Sequence, residues 1–418
     1  MSQKNEPQQP GDQQPESQQP ESQQPESQQP ESQQPESLQP ESLQPAGPPV
    51  LPQPAAINPS DFAEFPEAQG EDEKERPQPA DEPTGSPDGE LEHADLLDML
   101  RRTVARLEKD GTSRGDLKIL SRSLRELRYA FKVFQPYRRR RKVTVFGSAR
   151  TKPDHPAYQQ AVDFGRAMAK HHWMVITGAG GGIMEAGHVG AGRDLSMGLN
   201  IMLPFEQSAN PVIEGDPKLV TMKFFFTRKL MFVKECSAVV SLPGGFGTLD
   251  ETAEVLTLLQ TGKQTMLPVV LLDQPGGDFW QHFGEFIDRT LLADGMISPE
   301  DRALYTITDS VEAAVAETLR FYRVYHSLRY VGDTLVMRIC QPLSPEDLAH
   351  LNDSFSDIVV QGTIQQVAAL PEEANEPELI QLPRIMFHFD RKHLGRLRQL
   401  IDAINDTCPT CAVSATNC

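Results

Sequence analysis

Between Lys142 and Tyr325, short apolar runs alternate with amphipathic ones, and this alternation constrains the fold more than any other feature of the chain. "VTVFGS" precedes "PAYQQAVDFGRAMAKH", and "WMVITG" precedes a glycine-rich turn and "GGIMEAGHVGAG". "SMGLNIML" and "VTMKFFF" follow, the latter leading into "TRKLMFVKEC". "SAVVSL" leads through a further glycine-rich turn into "TAEVLTLLQ", "LPVVLLD" into "DFWQHFGEFIDRTLL", and "LYTIT" into "SVEAAVAETLRFYRVY". Strands alternating with helices in this way require right-handed crossovers and a parallel sheet covered on both faces. Ligands of such sheets lie beyond the carboxyl ends of the strands, and the glycine-rich turns all fall at that end.

The flanks differ in character. Residues 1–90 hold 19 acidic side chains against Lys4, Lys74 and Arg76, so they carry -16 of the chain's net charge of -19. The remainder is close to neutral, and the acidity says little about a ligand. Residues 15–44 repeat "PESQQ", drifting to "PESLQ". Too little apolar surface is available there to offset ordering entropy, so 1–90 reads as a disordered tail. The N-terminus lacks the basic start and apolar run of a secretory signal, and no apolar stretch approaches the length of a membrane span. Five cysteines spread through 418 residues fit a reducing, cytoplasmic setting. Cys408 and Cys411 form a lone CxxC, read as free thiols of a flexible tail at 407–418, because one pair cannot complete a tetrahedral zinc site.

Order is expected from about Leu91. In "LEHADLLDMLRRTVARLEKD", Leu96, Leu97, Leu100, Val104 and Leu107 share one helical face. A second helix, "DLKILSRSLRELRYAFKVF", completes a helical arm over 91–141 that packs on the main domain or on another subunit. Its end, "RRRRK" (138–142), is a cation run without interleaved aromatics, which disfavours nucleic acid as a partner. Residues 326–406 read as a small α+β domain, with strands in "TLVMRICQ", "DIVVQGTIQQV" and "LIQLPRIMFHFD" and helices in "SPEDLAHLNDSFS" and "RKHLGRLRQLIDAIND".

Three turns offer chemistry at the binding edge: "FGSAR" with Gly147 and Ser148, "TGAGGGIMEA" with Gly178, Gly180, Gly181 and Gly182, and "PGGFGT" with Gly244, Gly245, Gly247 and Thr248. Glycine lets backbone N–H groups approach an anion, and a following helix N-terminus adds favourable partial charge. Neither long turn is a Walker A loop, since no Lys-Ser/Thr follows the last glycine. Singly each turn is weak; together they favour a nucleotide or sugar-phosphate site. The third closes on Asp250 and Glu251, and Thr248 to Glu251 fits a T-x-x-E capping box, a purely structural role that spacing alone favours. Arg228 and Lys229 follow "FFF" upstream and could clamp an anion. Read from topology, the start of their helix and the PGGFGT turn lie at opposite ends of one helix–strand step, so they meet only if "FFFTRK" folds over the edge or another subunit contributes. His171 and His172 diverge on a helix, and no metal-ligand set is apparent.

"PGGFGTLDE", with "TRK" about twenty residues upstream, resembles the Lonely Guy family, the cytokinin riboside 5′-monophosphate phosphoribohydrolases, also labelled "possible lysine decarboxylase". "TGAGGGIMEA" is similar to the T-G-G-G-P-G-I-M-E-A turn of the family's longer bacterial members, with Ala179 in place of the second glycine and Gly181 in place of the proline. The resemblance covers about 142–325 and implies a Rossmann-like doubly wound α/β homodimer, or higher homo-oligomer, that needs no cofactor or metal. It would cleave the N-glycosidic bond of a nucleoside 5′-monophosphate, AMP or an N6-modified AMP, into base and ribose 5-phosphate. Arg228 and Glu251 match the catalytic pair; Gly244, Gly245, Gly247 and Thr248 match the phosphate turn. Ser148, Gly180, Met184 and Lys229 match positions lining the nucleotide pocket. A broader purine or pyrimidine monophosphate nucleosidase and a nucleotide sensor without turnover are the alternatives. Decarboxylation usually needs a pyridoxal cofactor on a lysine, and nothing marks Lys229 or Lys263 for that role.

Overall fold

The computed structural model describes residues 93–203, 208–374 and 376–408. The chain divides into Met1–Arg76 and Pro77–Cys418, and the described residues all belong to the second unit. The acidic repeat and the last cysteines therefore lie outside the described residues.

Seven parallel strands form the central sheet in the order β4-β3-β2-β1-β5-β6-β7. They are β1 (Lys142–Phe146), β2 (Met174–Thr177), β3 (Ser196–Ile201), β4 (Leu219–Met222), β5 (Ala238–Ser241), β6 (Val269–Leu272) and β7 (Thr306–Thr308). Strands β1, β2, β5 and β6 are buried throughout, as expected where helices cover both faces of a parallel sheet. The winding reverses at β1, which pairs with β2 on one side and β5 on the other.

The arm consists of α1 (Ala94–Lys109) and α2 (Arg114–Phe134). No residue of α1 is buried, and Leu96, Leu97, Leu100 and Val104 are exposed. Helix α2 docks on the main domain through buried Glu126, Ala130 and Phe134. The cation run after it is largely structural. The Arg141 guanidinium lies 3.5 Å from the Tyr322 ring centroid, Lys142 pairs with Glu235 at 3.5 Å, and Arg139 pairs with Glu378 at 3.0 Å.

Helices α3 (Pro156–Lys170) and α4 (Ile183–Ala191) pack so closely that a Cβ on Gly190 would overlap the Val162 carbonyl. Gly190 of "GHVGAG" thus serves helix packing, whereas Gly192 meets nothing and takes a φ of 77° at the helix end. Helix α5 (Phe225–Glu235) starts three residues after β4 ends, earlier than the strand reading of "FFF" implied. Helix α8 (Val311–Arg320) shares a core cluster with α3 and α4, whereas α5, α6 (Phe246–Gln260) and α7 (Phe279–Phe286) pack in the other.

A four-stranded antiparallel sheet follows, ordered β10-β11-β9-β8. Its strands are β8 (Tyr325–Val331), β9 (Thr334–Ile339), β10 (Val359–Val367) and β11 (Arg384–Phe389), with helices α9 (Pro345–Ser354) and α10 (Leu394–Asp406). Strand β8 has no counterpart in the sequence reading. It is an edge strand of mostly half-buried residues including His326, Ser327 and Arg329, so its apolar signal is weak. One hydrophobic cluster runs from Met174 and Val239 of the parallel sheet to Leu335, Ile385 and Ile401 of the second sheet and its helix. Cys340 and Cys408 are each disulfide-bonded, which corrects the expectation of free thiols at Cys408; Cys236 is free and buried. Among the described residues no helix is long and apolar enough to cross a membrane.

Asn405 of α10 holds the connection between α8 and β8. Its side chain is fully buried, accepts from the Val324 and Tyr325 amides at 2.8 and 3.0 Å, and donates to the Phe321 carbonyl at 2.8 Å. Asn405→Ala strands these groups in the interior, and each such loss costs about 1–3 kcal/mol. A fall in the urea midpoint of that order, read by circular dichroism with an unchanged slope, is the expected result.

Candidate active site

Loops leaving the two central strands diverge at the reversal, and the sequence-selected turns converge there. The Ser148 amide donates to the Pro243 carbonyl at 3.2 Å, and the Ser148 carbonyl accepts from the Ile183 amide at 3.0 Å. Ser148 therefore ties together the turns after β1, β2 and β5. Gly244 is packed against its surroundings: a Cβ there would overlap the Thr248 hydroxyl and lie 2.9 Å from the Ser148 nitrogen. Gly245 and Gly247 face open space and are exposed. The amino end of α6 is thus accessible to an anion.

The structure replaces the capping box with a different start to α6. The helix begins at Phe246 with Gly245 as N-cap and no side-chain cap bond. The Thr248 amide bonds the Gly245 carbonyl at 3.0 Å, which places Thr248 inside the first turn. Glu251 sits beyond the capping position and is buried, so a cap does not explain it.

Arg228 and Glu251 of the same chain stand close enough for the arginine's charge to act on the carboxyl. A right-handed crossover starts its helix at the carboxyl end of one strand and delivers the next strand's carboxyl end to the same edge. The expectation of opposite ends was therefore mistaken. Arg228, in the first turn of α5, donates from Nε to the Leu199 carbonyl at 2.8 Å, and its guanidinium lies 5.0 Å from the Phe232 ring centroid. A Cβ on Gly178 would overlap that guanidinium and lie 2.6 Å from Met184 Sδ, so Gly178 and Met184 shape the same corner.

Lys229 points to α6. Its Nζ lies 2.9 Å from both Asp250 and Glu254 and 3.8 Å from Glu251. Burial works against its charge, but the bonds to Glu254 and Asp250 outweigh this and raise its pKa. Burial pushes the Glu251 carboxyl up to about 7; the cations Lys229 and Arg228 oppose the shift, while Glu254 and Asp250 add to it. Burial is the largest of these influences and prevails over both cations.

A buried network that sequence reading missed holds the second turn. His188 contacts the Met197 carbonyl at 3.0 Å, Thr177 Oγ1 at 3.1 Å and Asn210 Nδ2 at 3.2 Å. Burial depresses its pKa to about 4, against the bonds to Met197 and Asn210, so it is neutral at pH 7. Asn210 also donates to the Gly180 carbonyl at 3.0 Å, and its amide donates to the Ala179 carbonyl at 2.7 Å. This support holds Ala179 at φ 62°, where the related turns carry glycine. No local pattern announces residues separated by 22 positions, as His188 and Asn210 are.

Fold and site together define a doubly wound α/β protein with an anion-accessible crevice at its switch point and a buried carboxyl beside two cations. Residues 181–318 match the family model described as "Possible lysine decarboxylase". The cytokinin riboside 5′-monophosphate phosphoribohydrolase LOG3 of Arabidopsis thaliana is 31% identical over 171 residues, 39% of this chain and 75% of that relative. The enzyme LOG7 of the same species is 28% identical over 168 residues, 39% of this chain and 74% of its own. Among solved structures, the molybdenum cofactor binding protein of Rippkaea orientalis aligns with 42% of this chain and 94% of its own at 20% identity and a TM-score of 0.30. The chain belongs to the Lonely Guy family.

The raised pKa of Glu251 has a consequence for stability. The native state holds a proton that the unfolded chain, with its ordinary value of 4.5, releases earlier. Stability from this group is therefore full below 4.5 and declines as pH rises through 7. Glutamine mimics the neutral acid. Glu251→Gln is expected to match the wild type at pH 4 and to exceed it at pH 8 by up to about 3 kcal/mol in urea unfolding.

Proposed function

We propose that the chain hydrolyses the N-glycosidic bond of a nucleoside 5′-monophosphate, AMP or an N6-modified AMP, to the free base and ribose 5-phosphate. The observation that carries this reading is Glu251. It is a buried carboxyl of pKa about 7, flanked by Arg228 and Lys229, at the mouth of a phosphate-competent turn. The named activity of the Arabidopsis relatives supports the same reaction.

In this reading the 5′-phosphate rests on the amides around Gly245 and Gly247 at the start of α6, and that remote binding energy positions the reacting bond. The C1′–N bond breaks with its electron pair leaving on the base, and positive charge develops on the ribose ring. Glu251 as carboxylate faces that charge, takes a proton from the attacking water and directs the oxygen to C1′. The departing base takes up a proton, so the atoms balance. A carboxyl that titrates near neutrality is suited to this exchange, since proton transfer is most effective when the catalytic pKa lies near the working pH. Arg228 offsets part of the desolvation cost of the charged form. A binder without turnover has no use for a buried, destabilising carboxyl at this position.

Release of ribose 5-phosphate from AMP, N6-isopentenyl-AMP, GMP, CMP and UMP is the direct assay. Turnover of at least one adenine nucleotide is expected, and none from any of the five overturns the proposal. With the active form ionised, kcat/KM for the best substrate should climb about tenfold per pH unit below the Glu251 pKa and level off above it. A profile breaking near the ordinary carboxylate value would assign the base elsewhere. Glu251→Gln should abolish turnover in a folded protein.

A second pair of variants separates packing from ligand approach. Gly247→Ala meets no protein atom and lies in a helix, so it should leave stability unchanged or raise it by about 0.5–1 kcal/mol. Any loss of substrate affinity in that variant then reports a phosphate lying against the turn. Gly244→Ala should lower both stability and affinity, because Thr248 and Ser148 must move.

A further inference from the structure

Helix α2 carries a row of cations that the proposed reaction does not use. Arg114, Lys118, Arg122 and Arg125 succeed one another at helical spacing and share one face. Lys223, between β4 and α5, flanks them, and the five line an open groove of about 490 Å³. Like charges at such spacing destabilise a helix. Elsewhere this protein neutralises clustered arginines: Arg338 and Arg384 share Glu373, and Arg320 and Arg398 share Glu317 and Asp402. In the groove, Arg114, Lys118, Arg125 and Lys223 have no carboxylate partner among the described residues.

Asp116 in the first turn is exposed and bonded to Ser113, and the carboxylate paired with the row faces inward. Glu126 is buried and accepts from Arg122 Nε at 2.7 Å, from the Lys223 amide at 2.9 Å and from the Thr227 hydroxyl at 2.9 Å. Thr227 immediately precedes Arg228. Glu126 therefore joins the wall of the groove to the first turn of α5, which aims Arg228.

We propose that this groove binds a small anion bearing several phosphates, at a place distinct from the PGGFGT turn, and that its occupancy steadies the amino end of α5. The observations favour a compact polyphosphate over single-stranded nucleic acid. The cations are confined to a stretch of about 16 Å along one helix, the volume is that of a small-molecule site, and the lining contains no aromatic ring on which bases could stack. An anion lying along Arg114, Lys118, Arg125 and Lys223 leaves Arg122 Nε on Glu126 and restrains Lys223, whose amide the same carboxylate holds at the start of α5.

The test is calorimetric titration of the full chain with sodium tripolyphosphate and with ATP at low and moderate salt, alongside the double variant Lys118→Glu/Arg125→Glu. Both positions are exposed, and Arg122 is left in place to hold Glu126. The wild type should bind tripolyphosphate with salt-sensitive affinity, and the double variant about tenfold or more weakly with an unaltered melting curve. Gly244→Ala should bind it as the wild type does, which separates the groove from the phosphate turn. Amide hydrogen exchange across Lys223–Arg228 should slow at saturation in the wild type. Undiminished binding by the double variant, tighter binding of a single-stranded oligonucleotide than of tripolyphosphate, or unchanged exchange at Lys223–Arg228 would each overturn the proposal. None of these readouts depends on ribose 5-phosphate release, so failure of the hydrolytic reading and failure of this one are told apart.

Discussion

Reversal of the winding at β1 is the constraint on which the rest of the structure depends. Crossovers carry the chain outward from β1 to β4 and then back past it to β5. The loops after β1 and β5 must therefore part, and the gap between them is the only place along this edge where neighbouring loops diverge by topology. The return crossover is α5, which spans from the outermost strand to the centre. Its amino end consequently stands at the carboxyl edge, and Arg228 reaches inward across β3 to the turn after β2. One topological decision thus creates the crevice and delivers its cation.

Glu251 shows how charge is distributed around that crevice. Helix α6 carries Asp250, Glu251 and Glu254, with Lys229 facing all three. The arrangement is unequal. Lys229 is bound closely by the outer pair, both more exposed than Glu251, and lies farther from the inner carboxyl, where it opposes the effect of burial more than any other group does. The outer carboxylates make Glu251 more basic through their own negative charge.

Much of the fold was legible because each buried strand is a continuous aliphatic run bounded by turn residues, and each helix has its own period. The glycine turns were legible as a set, since their position relative to strand ends follows from the alternation alone. What escaped had identifiable causes. Strand β8 is mostly half-buried and mixes polar with apolar residues without a clear period, so it was left unassigned. The start of α5 was hidden by three phenylalanines, which suit a strand as well as a helix turn. The capping-box spacing at Thr248 was real, but Gly244 and Gly245 let the helix begin earlier, and the box never forms. The His188–Asn210 network and the pKa of Glu251 arise from burial and from contacts between distant segments, which no local window contains.

The same logic bears on the arm. An apolar stripe on α1 was visible in the sequence, but the unequal fates of the two arm helices and the basic face of α2 were not. Helix α2 is fixed by an inward glutamate whose three donors come from α2 itself, from the strand–helix connection and from α5. Helix α1 has no such anchor and buries nothing. A carboxylate with 6% exposure is costly to desolvate, and hydrogen bonds from three donors are what hold its pKa below the ordinary value despite burial. Replacing it with an apolar side chain would keep the packing of Ala130 and Phe134 but release Thr227 and the Lys223 amide. The polar anchor therefore does something a hydrophobic contact could not: it fixes where α5 begins, and with it the direction of Arg228.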